Sequence, residues 1–382
     1  MTSPAHKRVY FVIGEESGDR LGADLVASLK AREQDTDFRF DFMGLAGPKM
    51  QQLGVKSLFD IDDVAVMGLS AVLARLPLII RRIRQTVRDV LEQAPDMLVI
   101  IDSPEFTHAV ARRVRKARPD IAIINYVCPS VWAWRSGRAK KMSAYIDHVL
   151  TLLPFEPQAL QDLDGPAATY VGHPLANQIV PPAQPAQIPE SPTLVVLPGS
   201  RGGEINRHMP IFGETLSMLR ARGMQFEPVI ISLPHRLEQI EAAMVDWSHP
   251  AAIVSSDDEK AEVLKRATAS LAASGTVTLE IALHHIPMVV GYKLDFLARL
   301  ALPFIKVWTS VLPNLVVDYA LLPEYHNQYL RPNVLLRHLE RLLSDTPQRA
   351  AQLEGFGQLT RLMKTEQPAG ERAAEVVINH LS

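Results

Sequence analysis

The sequence places glycine, serine and charged residues at several points where a short apolar run ends and a helical segment begins. In LPGSRGGEI, Gly199, Ser200 and Arg201 follow the apolar run Thr193–Leu197. Backbone N–H groups, an arginine and the positive end of the next helix would together hold a diphosphate. An ordinary strand-to-helix turn with a surface arginine has the same composition. A Walker A loop is excluded, because no Gly-Lys-Ser/Thr follows.

A second loop of this kind lies in SLAASGTVTLEIAL. Ser274, Gly275 and Thr276 end an apolar run, and Glu280 follows about one helical turn later. The loop would again present backbone donors at a helix N-terminus, and the carboxylate could bind the vicinal hydroxyls of a ribose. The alternative is a capped helix start with a solvated glutamate. Two phosphate-type loops in one α/β domain favour nucleotide binding over two unrelated turns.

The first half of the chain offers two candidate sites at strand ends. GEESGDRLGADL follows the first apolar run, and its residues Ser17, Gly18 and Asp19 would form a backbone platform or cap the next helix. In IDSPEF, Asp102 ends the apolar run Met97–Ile101. A carboxylate there could act as a general base on a sugar hydroxyl, or it could cap the helix that follows.

Aromatic and histidine residues supply further candidates. Trp132 and Trp134 lie beside four basic residues in YVCPSVWAWRSGRAKK, a combination that suits a sugar or an anionic amphiphile. A core tryptophan beside a solvated basic helix would give the same pattern. His173 precedes a proline-rich stretch and is typical of a structural hinge, although it would lie near a cleft between two domains.

The composition limits the class of protein. Of the 382 residues, 47% are hydrophobic and 21% are charged, which is typical of a globular chain rather than a disordered or membrane-spanning one. The single cysteine, Cys128, excludes an internal disulfide framework and any multi-cysteine metal site. The net charge of −2 gives no reason to expect nucleic acid as a partner. No H-E-x-x-H motif is present, so we expect no metal and no cofactor.

Apolar runs rich in β-branched residues alternate with helical segments, which predicts parallel sheets. The runs are Val9–Ile13, Met97–Ile101, Ile121–Tyr126, His148–Leu153, Thr193–Leu197, Phe226–Ser232, Ala251–Val254, Ala269–Ala273 and Pro287–Tyr292. We therefore expect an α/β fold with two doubly wound, Rossmann-like domains that face a cleft. Five prolines fall between Pro181 and Pro192, so we expect a linker at 181–192. The first domain is then expected at 1–180 and the second at 193–347. A C-terminal helix at 348–382 is expected to return to the first domain.

An arginine-rich amphipathic stretch predicts contact with a membrane. From Arg75 to Lys141 the chain has fourteen Arg or Lys residues and six Asp or Glu residues. A helical wheel of 64–89 sets arginines opposite an apolar stripe, as in an interfacial helix on anionic lipid, although a core helix has a similar stripe. We expect Pro77 to break this helix in two. No signal peptide or spanning helix is predicted, so the expected location is cytoplasmic and peripheral. The apolar residues expected at the membrane are Val66, Met67, Leu69, Val72, Leu73, Leu76 and Ile80.

Ten segments together resemble the lipid-A-disaccharide synthase family, whose members are inverting glycosyltransferases of the GT-B architecture. The segments occur in the family's order and span nearly the whole chain, so their combination is far more specific than any one of them. They are GEESGD, VMG, IDSPEF, YVCPSVWAW, LPFE, VGHPL, LPGSRGGEI, ASGTVTLE, PMVVGYK and LPNL.

The resemblance implies a reaction between UDP-2,3-diacylglucosamine and 2,3-diacylglucosamine 1-phosphate on the cytoplasmic face of the inner membrane. The products would be the β-1,6-linked disaccharide 1-phosphate and UDP, and the protein would be a homodimer with apolar contact area in 296–317. Asp102 would be the catalytic base, and Arg201 would offset charge on the departing UDP. The implied donor-binding residues are Gly199, Ser200, Arg201, Ser274, Gly275, Thr276, Glu280, Asn314, Glu324 and Gln328. The residues expected at the acceptor and cleft are Ser17, Gly18, Asp19, Trp132, Trp134 and His173.

The sequence departs from the family's pattern at a few positions. Glu105 and Thr107 stand where the family usually has aspartate and asparagine. Glu324 is followed by Asn327 and Gln328, so two amides compete for the role of one family glutamine. The rival interpretations are another GT-B enzyme that uses a UDP-sugar, such as an N-acetylglucosaminyl transferase or an epimerase, and a membrane-surface protein that binds a nucleotide sugar without turnover. The intact candidate base and loop arginine favour an active enzyme.

Overall fold

The computed structural model describes residues 5–65, 69–181, 187–295, 299 and 302–381. The chain forms two compact units, which we call unit 1 (Met1–Pro174 with Thr365–Ser382) and unit 2 (Leu175–Lys364). The two boundaries between the units differ from the expected domain boundaries. The first precedes the proline-rich stretch, and the second lies at Thr365 rather than at 348.

Unit 1 is built on a parallel sheet of seven strands. They are β1 (Ala5–Ile13), β2 (Phe38–Leu45), β3 (Lys56–Ser57), β4 (Met97–Ile101), β5 (Ala122–Tyr126), β6 (His148–Thr151) and β7 (Ala168–Tyr170). Their order is β3-β2-β1-β4-β5-β6-β7. The predicted strands β1, β4, β5 and β6 are confirmed, and they form the middle of the sheet. The strands that the sequence patterns missed, β2, β3 and β7, lie towards its edges, where burial on both faces is incomplete.

Unit 2 is built on a second parallel sheet, of six strands. They are β8 (Thr193–Leu197), β9 (Glu227–Ile231), β10 (Ala252–Val254), β11 (Ala267–Ala272), β12 (Met288–Tyr292) and β13 (Glu324–His326). Their order is β10-β9-β8-β11-β12-β13. In both sheets the chain changes direction at the centre, between β1 and β4 and between β8 and β11. Ligands of doubly wound sheets bind at this switch point, beyond the carboxyl ends of the strands.

Helices connect the strands and cover both faces of each sheet. The described helices are α1 (Glu16–Arg32), α2 (Pro48–Gln52), α3 (Leu69–Gln93), α4 (Pro104–Ala117), α5 (Gly137–Met142), α6 (Glu156–Asp162), α7 (Pro174–Gln178), α8 (Gly202–Ala221), α9 (Leu237–Met244), α10 (Asp257–Arg266), α11 (Val277–Leu283), α12 (Leu312–Val317), α13 (Pro332–Leu342), α14 (Pro347–Met363) and α15 (Ala369–Leu381). Short 3₁₀ turns span Ile61–Asp63, Pro234–Arg236, Leu302–Phe304 and Asn327–Tyr329.

The C-terminal segment consists of two helices with different partners, which corrects the prediction of one returning helix from 348. Helix α14 belongs to unit 2, where the Gln352 side chain bonds the N–H and C=O groups of Met288 at 2.8 and 3.0 Å. Helix α15 belongs to unit 1, where Ala373 and Val377 are buried in the core that also contains Leu25 of α1. The C-terminal segment is therefore shared between the two units, because its two helices pack in different cores.

Helix α3 runs from Leu69 to Gln93 with Pro77 inside it, so the prediction that Pro77 breaks the helix is wrong. An interior proline costs about 3 kcal/mol because it removes one backbone hydrogen bond and crowds the preceding turn. Here Pro77 is exposed, so water can bond the carbonyl that it leaves free. Val66 and Met67 lie outside the described residues, and the side chains of Leu69, Val72 and Leu73 are not among those described. Of the other residues expected at the membrane, Leu76 is 43% and Ile80 is 40% exposed, whereas Ile83, about one helical turn further along α3, is buried in the core.

Candidate active site

A cavity of about 730 Å³ lies in unit 2 at the switch point of its sheet. The loop after β8 contributes Gly199, Ser200 and Arg201 to its wall, and the loop after β11 contributes Ser274–Thr276. Glu280 of α11 lines the same space. The structure thus brings together both loops and the carboxylate that the sequence patterns singled out.

Glu204, which the sequence reasoning missed, holds the loop after β8 in shape. Its carboxylate accepts hydrogen bonds from the backbone N–H groups of Ser200 and Arg201 at 3.1 and 3.2 Å, and from the Tyr292 hydroxyl at 2.8 Å. Gly199 has a φ of +110°, and a Cβ there would lie 2.6 Å from the same carboxylate. A glutamate at the third position of a helix is the usual sign of such a cap, and this signal was available in the sequence.

The donors that remain at this loop differ from those expected. The N–H groups of Ser200 and Arg201 are taken by the glutamate. Gly202 and Gly203 form the first turn of α8, where N–H groups have no partner within the helix. The Arg201 side chain is 68% exposed. The loop can therefore offer an anion a guanidinium and a helix N-terminus.

His208, also missed, ties the same loop to the end of β12. Its Nδ1 lies 2.7 Å from the Pro198 carbonyl oxygen, and its Nε2 lies 2.9 Å from the backbone N–H nitrogen of Lys293. Because a carbonyl only accepts and an N–H only donates, the ring carries its proton on Nδ1. Burial lowers the pKa of His208, which keeps this neutral form. His208 lies one helical turn after Glu204, so one face of α8 braces the whole loop.

Ser274 connects the cavity wall to Glu324. The Ser274 hydroxyl lies 3.1 Å from the Ser310 hydroxyl, which donates to the Glu324 carboxylate at 2.8 Å. Burial alone would raise the pKa of Glu324, but hydrogen bonds from His326, Thr309 and Ser310 outweigh it and hold the pKa at about 2. Glu324 itself lines a neighbouring cavity of about 570 Å³. It therefore remains ionised, one serine away from the candidate donor site.

Asn314 is buried, which corrects the expectation that it contacts the donor. Its amide donates to the Leu322 carbonyl at 3.0 Å and accepts from the Leu322 N–H at 2.8 Å. A buried amide bonded in this way supports the backbone and is not free for a ligand. Of the two competing amides, Asn327 accepts a backbone N–H at 3.1 Å, whereas Gln328 is exposed.

Asp102 lies at the carboxyl end of β4, the switch point of unit 1. One oxygen accepts from the Ser17 hydroxyl and the other from the Ser103 N–H, both at 2.8 Å. Asp102 and Ser103 have left-handed backbones, with φ of +55° and +41°, and Val127 after β5 has a φ of +76°. Each such non-glycine residue costs about 1–3 kcal/mol and persists where the surrounding structure enforces it, often at functional sites. Of the nine non-glycine residues with positive φ among those described, three therefore lie where β4 and β5 end.

The Asp102 side chain does not cap helix α4. The residue that precedes the helix is Ser103. Thr107, one of the departures from the family's pattern, donates its hydroxyl to the Asp102 carbonyl at 2.7 Å and so supports the strained turn. Glu105, the other departure, is exposed and pairs with Arg138 at 3.0 Å. The carboxylate of Asp102 remains available for chemistry.

Asp19 caps a neighbouring helix and also lines a cavity of unit 1, so its assignment to the acceptor site stays a prediction. The residue is buried, and its carboxylate accepts the N–H groups of Lys49 and Met50 at 2.8 and 3.1 Å at the start of α2. Gly18 is also buried, against β4. Ser17 is the member of this group that contacts Asp102, and it borders a cavity of about 860 Å³ in unit 1.

The two tryptophans have different surroundings. Trp132 donates its indole N–H at 3.2 Å to Glu156, whose other oxygen accepts two backbone N–H groups of the loop after β6 at 3.1 and 3.0 Å. Burial raises the pKa of Glu156 to about 7 against the lowering effect of these hydrogen bonds. Trp134 is 43% exposed, and the Arg135 guanidinium lies 4.2 Å from its ring. Trp132 is thus anchored, while Trp134 faces solvent.

His173 lies next to the division between the units. Burial lowers its pKa to about 4, so the ring is uncharged near pH 7. An uncharged ring offers no ion pair to an anionic acceptor, which favours the structural interpretation of this residue.

Metal-binding clusters and membrane-spanning helices are both absent from the residues that the structure describes. Within 5–65, 69–181, 187–295, 299 and 302–381, no group of three or more His, Cys, Asp or Glu residues could hold a metal ion. No helix in the same ranges combines the length and the apolar character needed to cross a bilayer.

Comparison with solved structures identifies the fold. UDP-GlcNAc 2-epimerase of Neisseria meningitidis superposes with a TM-score of 0.61 at 11% identity, covering 98% of this chain and 99% of that one. The calicheamicin glycosyltransferase CalG4 superposes with a TM-score of 0.57 at 17% identity, covering 98% of each chain. At such low identity these likenesses show the fold alone. They confirm the predicted GT-B architecture of two Rossmann-like domains.

Comparison with known sequences identifies the family. Residues 9–377 match the model of the lipid-A-disaccharide synthetase family. The chain is 48% identical over 388 residues to the lipid-A-disaccharide synthase of Rhodopseudomonas palustris strain HaA2, covering 100% of this chain and 98% of the relative. It is 45% identical over 379 residues to that of Nitrobacter hamburgensis, covering 97% and 95%. The resemblance inferred from the ten segments is confirmed: this chain belongs to the lipid-A-disaccharide synthase family of glycosyltransferases.

Proposed function

We propose that the protein transfers 2,3-diacylglucosamine from UDP to the 6-hydroxyl of 2,3-diacylglucosamine 1-phosphate, with inversion and without a metal. The products are the β-1,6-linked disaccharide 1-phosphate and UDP. The observation that carries this proposal is the cavity of unit 2, because Arg201, the Ser274–Thr276 loop and Glu280 line one space. These are the groups that a nucleoside diphosphate requires.

In the proposed donor complex, the diphosphate binds the Arg201 guanidinium and the N-terminus of α8, and the ribose hydroxyls bind Glu280. Negative charge grows on UDP as its bond to the anomeric carbon breaks. A guanidinium and a helix N-terminus stabilise that charge in place of a divalent cation.

In the proposed chemical step, Asp102 takes the proton of the acceptor 6-hydroxyl. The hydroxyl oxygen forms a bond to the anomeric carbon, and the bond from that carbon to the UDP oxygen breaks with its electron pair remaining on UDP. A single displacement on the opposite face inverts the anomeric configuration. The hydrogen bond from Ser17 orients the carboxylate, and the cavity bordered by Ser17 is the proposed place for the acceptor sugar.

We also propose that α3 contacts the anionic cytoplasmic surface of the inner membrane. The exposed side chains of Leu76 and Ile80 and the exposed arginines 81, 84 and 88 support this. We expect the double substitution Leu76→Ser and Ile80→Ser to reduce co-flotation with anionic vesicles several-fold. Leu362→Ser, at an equally exposed leucine of unit 2, is the control. Equal flotation of wild type and double variant would argue against this surface.

The proposal is tested in detergent micelles with both lipid substrates and EDTA, by following disaccharide and UDP. We expect Asp102→Ala to lower kcat by about 10³-fold, within the range that general base catalysis supplies, and to leave UDP binding unchanged. Asp120→Ala removes an exposed carboxylate that pairs with Arg118 and is the matched control. UDP release without disaccharide would point to another UDP-sugar reaction, and no turnover of this donor by wild type would refute the proposal.

A further inference from the structure

Lys260 lines the cavity of unit 2 and has no role in the proposed reaction. Lys260, in the first turn of α10, contacts both carboxylate oxygens of Glu280, at 2.7 Å for Oε1 and 2.8 Å for Oε2. Both residues line the cavity, and their side chains are 28% and 18% exposed. The pair is therefore part of the cavity wall.

Contact with both oxygens constrains the carboxylate of Glu280. A partner on one oxygen would let the group turn about its terminal bond, whereas an ammonium held between two oxygens defines its plane and direction. An ionised carboxylate has about four lone-pair sites. Lys260 uses one on each oxygen and leaves one on each for another donor. Two neighbouring acceptor sites match the two hydroxyls of a cis-diol.

Partial burial distinguishes this ion pair from others on the same helix. Lys265 of α10 pairs with Glu262, but those side chains are 67% and 71% exposed, so water screens the contact and it contributes little. The pair of Lys260 and Glu280 is screened less, because most of both side chains is removed from water. The contact is thus strong enough to orient the carboxylate before a ligand arrives.

We propose that Lys260 is a positioning residue that sets ribose specificity: it holds Glu280 in the orientation that binds both ribose hydroxyls, so that a ribonucleoside diphosphate is preferred to a 2′-deoxyribonucleoside diphosphate. This inference rests on the proposed nucleotide site in unit 2. It assigns the lysine to the sugar of the nucleotide and leaves the diphosphate to Arg201.

The test is calorimetric titration of the full-length protein with UDP and with 2′-deoxy-UDP at several salt concentrations. We expect wild type to prefer UDP by about tenfold, as for one hydrogen bond to a charged group. Lys260→Met should lower UDP affinity by about the same factor and change 2′-deoxy-UDP affinity less than twofold. Lys260→Arg should restore part of the preference, and Lys265→Met should behave as wild type. Glu280→Gln should abolish the preference, and adding Lys260→Met to it should have no further effect on UDP binding.

Three results would overturn the inference, and they differ from failure of the proposed function. If wild type binds UDP and Lys260→Met keeps the preference, the lysine does not position Glu280. If Lys260→Met weakens both ligands equally and reduces the salt dependence, Lys260 contacts the diphosphate instead. If Lys260→Met binds UDP more tightly, the lysine competes with the ribose. Failure of wild type to bind UDP at all would refute the nucleotide site itself, and with it both proposals.

Discussion

The two sheets end their central strands in different ways. In unit 2 the loops after β8 and β11 turn at Gly199 and Gly275, with φ of +110° and +159°. In unit 1 the turns after β4 and β5 place Asp102, Ser103 and Val127 in left-handed conformations. Glycine adopts such angles without steric cost, whereas other residues adopt them under strain.

The difference follows from what each strand end presents. A loop that binds an anion with backbone N–H groups and one arginine needs no side chain at its tightest point, so glycine serves there. A turn that presents a carboxylate needs that side chain at the strand end itself. The strain at Asp102 is thus the consequence of placing a carboxylate where the backbone would favour glycine, which is consistent with its proposed role as a base.

Each unit has a glutamate at a helix start that braces the preceding loop by hydrogen bonds. Glu204 at the start of α8 and Glu156 at the start of α6 each accept two backbone N–H groups of the preceding loop. Both side chains are buried, but their surroundings differ. Glu204 lines the cavity, whereas burial raises the pKa of Glu156 to about 7. The same brace is therefore expected to be pH-dependent in unit 1.

Among the changes that affect stability, the largest effect is expected from Glu204→Ala. The change leaves two backbone N–H groups and the Tyr292 hydroxyl without their acceptor, so we expect the free energy of unfolding to fall by about 3 kcal/mol. UDP affinity should fall at least tenfold, because the loop loses its shape. Chemical denaturation and UDP titration measure the two effects. Glu214→Ala, at an exposed position of the same helix, is the control. Unchanged UDP affinity would show that the loop holds its shape without this brace.

Glu156→Gln should change how stability depends on pH. The pKa of Glu156 is raised from 4.5 to about 7 in the folded protein, so folding takes up a proton between these values and wild type loses stability as pH rises through this window. Between pH 5 and pH 8 this loss amounts to about 2 kcal/mol. The glutamine variant lacks it, so its stability relative to wild type should increase over the same range.

Chemical denaturation at pH 5, 6.5 and 8 follows this difference. Asp162→Asn, at an exposed carboxylate on the same short helix, is the control. A difference between wild type and Glu156→Gln that stays constant from pH 5 to pH 8 would contradict the raised pKa.

Local sequence signals were enough to predict the central strands and the loops that follow them. The turns at Gly199 and Gly275 and the carboxylate of Asp102 each lie directly after an apolar run, so their positions depend on a few neighbouring residues. The roles of Asp19 and Asn314 could not be predicted in this way. A polar residue near the start of a helix looks the same in the sequence whether it faces water or is buried, and tertiary packing decides between the two.

The contacts that His208 makes with the loop after β8 were missed for the same reason. His208 joins the loop after β8 to the backbone after β12, more than eighty residues later in the chain. Such a contact follows from strand order rather than from local pattern, because β11 lies between β8 and β12 in the sheet. Glu204 did carry a local signal, its position in the first turn of α8.

The smallest expected effect is the difference in stability between two variants at Ser103, which measures the backbone strain of the turn after β4. Ser103→Ala and Ser103→Gly both remove the hydroxyl that donates to Glu15 at 2.9 Å, so the difference between them reports on the backbone. In the left-handed conformation we expect the glycine variant to be more stable than the alanine variant by about 1 kcal/mol. In unit 2 the native residue at the turn is already glycine. Gly199→Ala should therefore lower the stability of the protein, because the alanine Cβ would lie 2.6 Å from the Glu204 carboxylate. Denaturation of all three variants checks this, and an alanine variant at 103 as stable as the glycine variant would mean that the turn after β4 relaxes and stores no strain.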